Sequence, residues 1–194
     1  MTIATRLTEP LMDTAAFLDW TRGTEERWEL DRGIPVQMQS ERVAHLRAKG
    51  RAYTAFSNAL AKRGLPCEAL PDGATVVTRN NSVYIPDALI RCGDPPGDDT
   101  IEITDPVVIV EVLSPSNSQI EMTTKIDGYF SLPSVAWVLL VNTVTRVVYS
   151  YARGEDALIL RRHAPGETLT LDPPGIVLAA DDLLPLPEEP APET

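Results

Sequence analysis

The chain has 194 residues, a formal net charge of −11, 43% hydrophobic and 23% charged residues, the balance of a soluble globular domain with a substantial core. No stretch of about 18 apolar residues occurs, and the opening MTIATRLTEP lacks the apolar segment of an export signal, so a cytoplasmic location is the expectation. So acidic a chain is a poor match for a protein that coats nucleic acid non-specifically. Its acids, however, gather in GDDTIEITD and in the stretch from Asp172 onward, which holds no Lys, Arg or His, while residues 42–64 carry a basic stripe. A solvated helix face explains such a stripe as readily as a phosphate footprint does. One domain is expected over residues 1–185, followed by an acidic, proline-rich tail over 186–194. Cys67 and Cys92 have no metal-ligand spacing, and a reducing compartment needs no bond between them, so both read as packing residues.

In chain order, MDTAAFLDW predicts a short helix capped by Asp13, and RWELDRGIPVQM a hairpin turned by Asp31-Arg32-Gly33. A longer helix is expected from Ser40 as N-cap to the Gly64-Leu65-Pro66 stop, with Val43, Leu46, Tyr53, Phe56 and Leu60 on its apolar face. Strands follow at CEAL, ATVVT and SVYIPDALIRC, then a strand buried on both faces at PVVIVEVL. SPSNSQ reads as a loop and helix start, with Ser116 or Ser118 as cap and Gln119 or Glu121 completing a capping box. Met122, Ile126, Tyr129 and Phe130 give that helix its apolar face, and Pro133 ends it. AWVLLVN, RVVYSYAR, ALILRRH and TLTL complete the sheet. The order points to α/β or α+β, a mixed sheet covered by helices.

Two isolated acids stand out. Side-chain alternation along PVVIVEVL sets Val107, Ile109, Glu111 and Leu113 on one face, with Val108, Val110 and Val112 on the other. Glu111 is then the one charge on its face, and a carboxylate removed from water must be neutralised, paired with a cation or bound to a metal. Asp87, after Pro86 in YIPDALI, reads by itself as a turn aspartate. Taken with Glu111 on the neighbouring predicted strand, it suggests two carboxylates held around a divalent cation, for which oxygen ligands suit magnesium or manganese. Lys125, one of three lysines, falls at the edge of its helix's apolar stripe, where it can reach the strand end or simply pair with Glu121.

These residues resemble the PD-(D/E)XK nuclease superfamily. More closely, PDALI together with PVVIVEVLSPSNSQIEMTTKIDGYFSLPSVAWVLLVN is similar to the Uma-two family of restriction endonucleases, and the likeness extends from FLDW and WEL to ADDLL. The resemblance implies a restriction-endonuclease-like core, metal ligands at Asp87 and Glu111, and a catalytic lysine. The superfamily's usual lysine position, two residues after the glutamate, holds Leu113, so the resemblance implies that Lys125 takes that role from the helix. Glu29 in RWEL and His45 on the first long helix also match family positions. Each has an alternative, a surface strand acid for Glu29 and a hydrogen-bonded structural histidine for His45. Asn142 stands where many relatives have an aspartate.

The activity implied is magnesium- or manganese-dependent hydrolysis of DNA phosphodiester bonds, and cutting both strands would call for a homodimer. The alternative from another class is a non-catalytic nuclease-like module that binds nucleic acid or a protein. No Gly-rich phosphate loop, Cys/His metal cluster or Gly-x-Ser-x-Gly element supports a cofactor enzyme.

Overall fold

The computed structural model describes residues 11–114 and 119–185. Asp13 caps α1 (Thr14–Thr21) as expected, its carboxylate accepting the Ala16 N–H at 2.7 Å. The hairpin of β1 (Trp28–Asp31) and β2 (Ile34–Gln37) forms around Arg32 and Gly33, whose positive φ values of 48° and 84° suit a tight turn between twisted strands. α2 (Val43–Arg63) begins at Arg42, with no side-chain cap, and not at Ser40; it ends at Gly64 in the left-handed conformation, φ 60°.

β3 (Cys67–Pro71) and β4 (Val76–Val77) follow. The run expected as a single strand, SVYIPDALIRC, divides into β5 (Val83–Tyr84) and β6 (Ala88–Cys92), which belong to different sheets. Pro86, with no N–H to give a ladder, lies in the break. Asp87 therefore sits at a junction between sheets.

β7 (Pro106–Leu113), α3 (Gln119–Phe130), β8 (Trp137–Asn142), β9 (Val147–Arg153) and β10 (Leu158–His163) come next. The proposed caps at Ser116 and Ser118 lie outside the described residues. β11 (Thr168–Leu171) does not extend the main sheet; it pairs with β12 (Ile176–Ala179) as a separate hairpin, followed by α4 (Ala180–Leu183).

The main sheet runs β10-β9-β8-β7-β6-β3, antiparallel except for β7 and β8, which α3 joins as a parallel crossover. A four-stranded sheet, β2-β1-β5-β4, stands beside it. The fold is mixed α+β with helices on a central sheet, as expected.

β7 has the predicted two faces. Val108, Val110 and Val112 pack with α2, β11, β12 and α4, while Ile109 packs with Met122, Ile126 and Tyr129 of α3. Val107 departs from the alternation and packs on the α2 side, because the β6–β7 register shifts there: Ile90 faces Val108 but Arg91 faces Pro106.

The face α2 buries matches the expected one at Phe56 and Leu60 and departs from it in the first half of the helix. Ala48, Lys49, Ala52, Phe56 and Leu60 are buried, whereas Val43, Leu46 and Tyr53 are exposed. Small alanines let the first half of the helix approach the sheet closely, and there ranking residues by hydrophobic bulk favours the wrong stripe.

The cysteines also depart from expectation. Cys67 and Cys92 lie directly opposite each other on β3 and β6 and form a disulfide. Register supplies the pairing: 25 residues apart in the chain, the two side chains meet across one ladder rung. Closing a loop of that size stabilises by about 3 kcal/mol in the chain-entropy account. Chemical denaturation with and without reductant is expected to differ by that order in the wild type and to coincide in Cys67→Ser.

Candidate active site

The site is assembled where β6 and β7 meet α2 and α3. Asp87 is tied to the sheet by two backbone contacts: its N–H donates to Val110 O at 3.0 Å, and its Oδ2 accepts the Val112 N–H at 2.6 Å. From α2, Lys49 Nζ reaches Asp87 Oδ1 at 2.7 Å and His45 Nε2 lies 3.4 Å from Oδ2. Lys49 also contacts Glu41 Oε1 at 2.5 Å and Asp72 Oδ2 at 3.1 Å, and Asp72 in turn grips the Arg27 guanidinium. Burial opposes ionisation of Asp87, but His45, Lys49 and the Val112 N–H outweigh it and hold the carboxyl below its usual range. Burial likewise opposes the Lys49 charge, and its acidic neighbours reverse that, raising its pKa.

Glu111 occupies the other face of β7. Its Oε1 accepts a hydrogen bond from Tyr129 Oη at 2.5 Å and lies 3.3 Å from Lys125 Nζ. Lys125 does reach back from the helix. It bridges to Glu29 Oε2 at 2.8 Å, and Glu29 Oε1 also accepts the Ile85 N–H at 2.9 Å. Beneath the ammonium lies the Tyr84 ring, 5.3 Å to its centre. Gly128 makes this approach of α3 achievable, since a Cβ there would stand 2.7 Å from Tyr84 Cε2. Burial pushes the Glu111 carboxyl up to about 7, with Asp87 and Glu29 adding to the rise and Lys125 opposing it. Despite burial, Glu111 and Glu29 hold the Lys125 charge in place.

Asp87, Glu111, Lys125, Glu29 and His45 thus gather in one region around β7. Among the described residues, the group whose ligand atoms all lie within 4.8 Å of one another is Glu41, His45 and Asp87. Glu111 stands outside that group, held by Lys125 and Tyr129. Glu41 Oε2 is buried without a hydrogen-bond partner, an orphaned acceptor that a cation would satisfy.

Sequence reasoning did not select Glu41 or Lys49. The available signal was spacing: His45 and Lys49 lie four apart on one face of α2, and Glu41 stands four residues earlier, just before the helix begins. Lys125, for which an i, i+4 partnership with Glu121 was considered, pairs at long range with Glu29 and Glu111.

The sequence profile of the Uma2 family, described as "Putative restriction endonuclease", matches residues 14–181. The chain belongs to the Uma2 family. A relative in Synechocystis sp., the uncharacterized protein slr1290, is 28% identical over 175 residues, covering 89% of this chain and 90% of the other. The fold is also that of a crystal structure described as a putative nuclease belonging to DUF820 from Anabaena variabilis, with a TM-score of 0.72 at 16% identity, covering 89% of this chain and 97% of that one. In this Uma2 chain, Asn142 serves the local backbone, its Oδ1 accepting the N–H groups of Val144 and Thr145 and so closing the β8–β9 turn. Among the described residues no helix is long and apolar enough to cross a membrane.

Proposed function

We propose that this Uma2 protein hydrolyses DNA phosphodiester bonds with the help of magnesium or manganese. The observation that carries the reading is a pair of buried carboxylates, Asp87 just before β6 and Glu111 within β7, each with a lysine against it. Asp87 and Glu111, with the Val112 carbonyl next to Glu111 in the chain, would hold one ion. Asp87 is also placed to share a second with Glu41 and His45, whose imidazole nitrogen suits manganese. When bound, such an ion supplies a Lewis acid that lowers the pKa of water and takes up charge developing on the phosphate.

The chain's own groups do the rest. Lys125 lies within reach of Glu111 and can orient the attacking water or add positive charge beside the phosphate. Glu29 and the Tyr84 ring fix the ammonium's position, and Tyr129 fixes the Glu111 carboxylate. The exposed side of α2 presents Arg42 and Arg47, which suits contact with a phosphate backbone.

Purified protein is expected to nick or cut plasmid DNA with magnesium or manganese. That activity should disappear with chelator and fall at least about 100-fold in Glu111→Ala, Asp87→Ala and Lys125→Ala, the scale of losing a group that acts at the transition state. Full activity in Glu111→Ala would sink the assignment. Because both lysines already neutralise the acids, a non-catalytic nucleic-acid-binding module is the second reading. It requires DNA binding that survives chelation with no cleavage under any divalent ion.

A further inference from the structure

β10 is the outer strand of the six-stranded sheet. Open edges invite association with other chains, and prolines, lysines or bulges normally blunt them. β10 has no such device at its centre. Leu158, Ile159 and Leu160 follow one another with exposures of 39%, 48% and 54%, so apolar side chains project from both faces of a strand whose outer edge has no partner among the described residues.

The order of charges along this segment gives a second, independent observation. Glu155 and Asp156 lie in the turn before the strand, and Arg161 and Arg162 fall in its second half. Among the described residues none of the four forms an ion pair within its own chain. Acids, then an apolar centre, then bases make a pattern that complements itself when one copy is reversed. Side by side in the same direction, acids would meet acids and arginines would meet arginines, a destabilising arrangement.

We propose that β10 pairs antiparallel with β10 of a second copy, centred on Ile159, joining the two main sheets into one. In that register Ile159 faces its twin and Leu158 faces Leu160 of the other copy. The Glu155–Asp156 turn of each copy runs alongside Arg162 and His163 of the other. Tyr151, beside Leu160 on β9, extends the apolar strip across the junction on one face. The contact is isologous, as a two-fold dimer requires, and it stands independently of the nuclease reading.

Sedimentation equilibrium of the full chain at about 100 µM, where a small edge-to-edge interface is populated, should give twice the 21.2 kDa chain mass. Ile159→Lys should give a monomer with an unchanged melting temperature. Ile159→Cys should form a covalent dimer on mild oxidation, whereas Val177→Cys, more exposed on β12, should not. A monomeric wild type, a dimer that persists in Ile159→Lys, or an Ile159→Cys protein that does not cross-link would each overturn the proposal.

Discussion

Glu111→Gln is expected to abolish DNA cleavage while making the metal-free protein more stable at pH 8. The amide keeps the shape of the side chain and an acceptor for Tyr129, but it removes a negative charge that the fold holds at a loss. Burial raises this carboxyl from 4.5 to about 7, so in that interval the folded state binds more protons than the unfolded one. The sign follows directly. The Glu111 contribution to stability is favourable below about pH 4.5 and is lost as pH rises toward 7, a swing of about 3 kcal/mol as an upper bound. Urea denaturation from pH 4.5 to 8 should show this decline in the wild type and not in Glu111→Gln. Asp87 acts oppositely, because its carboxyl is held low and contributes stability that is lost as pH falls. The readout is therefore the difference between wild type and variant. Equal pH profiles would show that Glu111 carries no such burden. Metal affinity should rise with pH through the same range, since coordination requires the deprotonated carboxylate.

Lys49→Met should be the most damaging single change to stability, about 3–5 kcal/mol, because it strips the cation from Asp87 and Glu41 and leaves buried acids without compensation. Asp87→Asn in the same background should recover a large part of that loss, since the more deeply buried charge is then gone. Thermal and urea denaturation of the two variants would measure it. A Lys49→Met protein as stable as wild type would show that other cations neutralise Asp87. On the proposed reading, cleavage should not return in the double variant, which lacks the Asp87 carboxylate.

The two halves of the site were unequally legible in the sequence. Glu111 announced itself because a charge inside VVIVEVL has no local explanation, and strand alternation assigned its face correctly. Lys125 could be placed at the margin of an apolar stripe, and α3 does carry it to Glu111. Asp87 was visible only as half of a pair, because Pro-Asp reads locally as a turn. Glu41 and Lys49 were missed for a physical reason: the first half of α2 packs through Ala48 and Ala52 while Val43, Leu46 and Tyr53 point outward, so its inward face looks polar and weak there. The disulfide depended on which rung of β3 meets which rung of β6, and register between separated strands is not written into either strand alone. The splitting of β5 from β6 was signalled by Pro86, and the β11–β12 hairpin could be recognised only once its partner strand was known.

Lys49 and Lys125 each stand amid several carboxylates. Positive charge supplied by the polypeptide itself is therefore present at the moment the strands come together, before any ion from solution arrives. A chain arranged in this way needs no divalent ion to neutralise these acids as it folds. Whatever it later binds there must compete with tethered ammonium groups for the same oxygens.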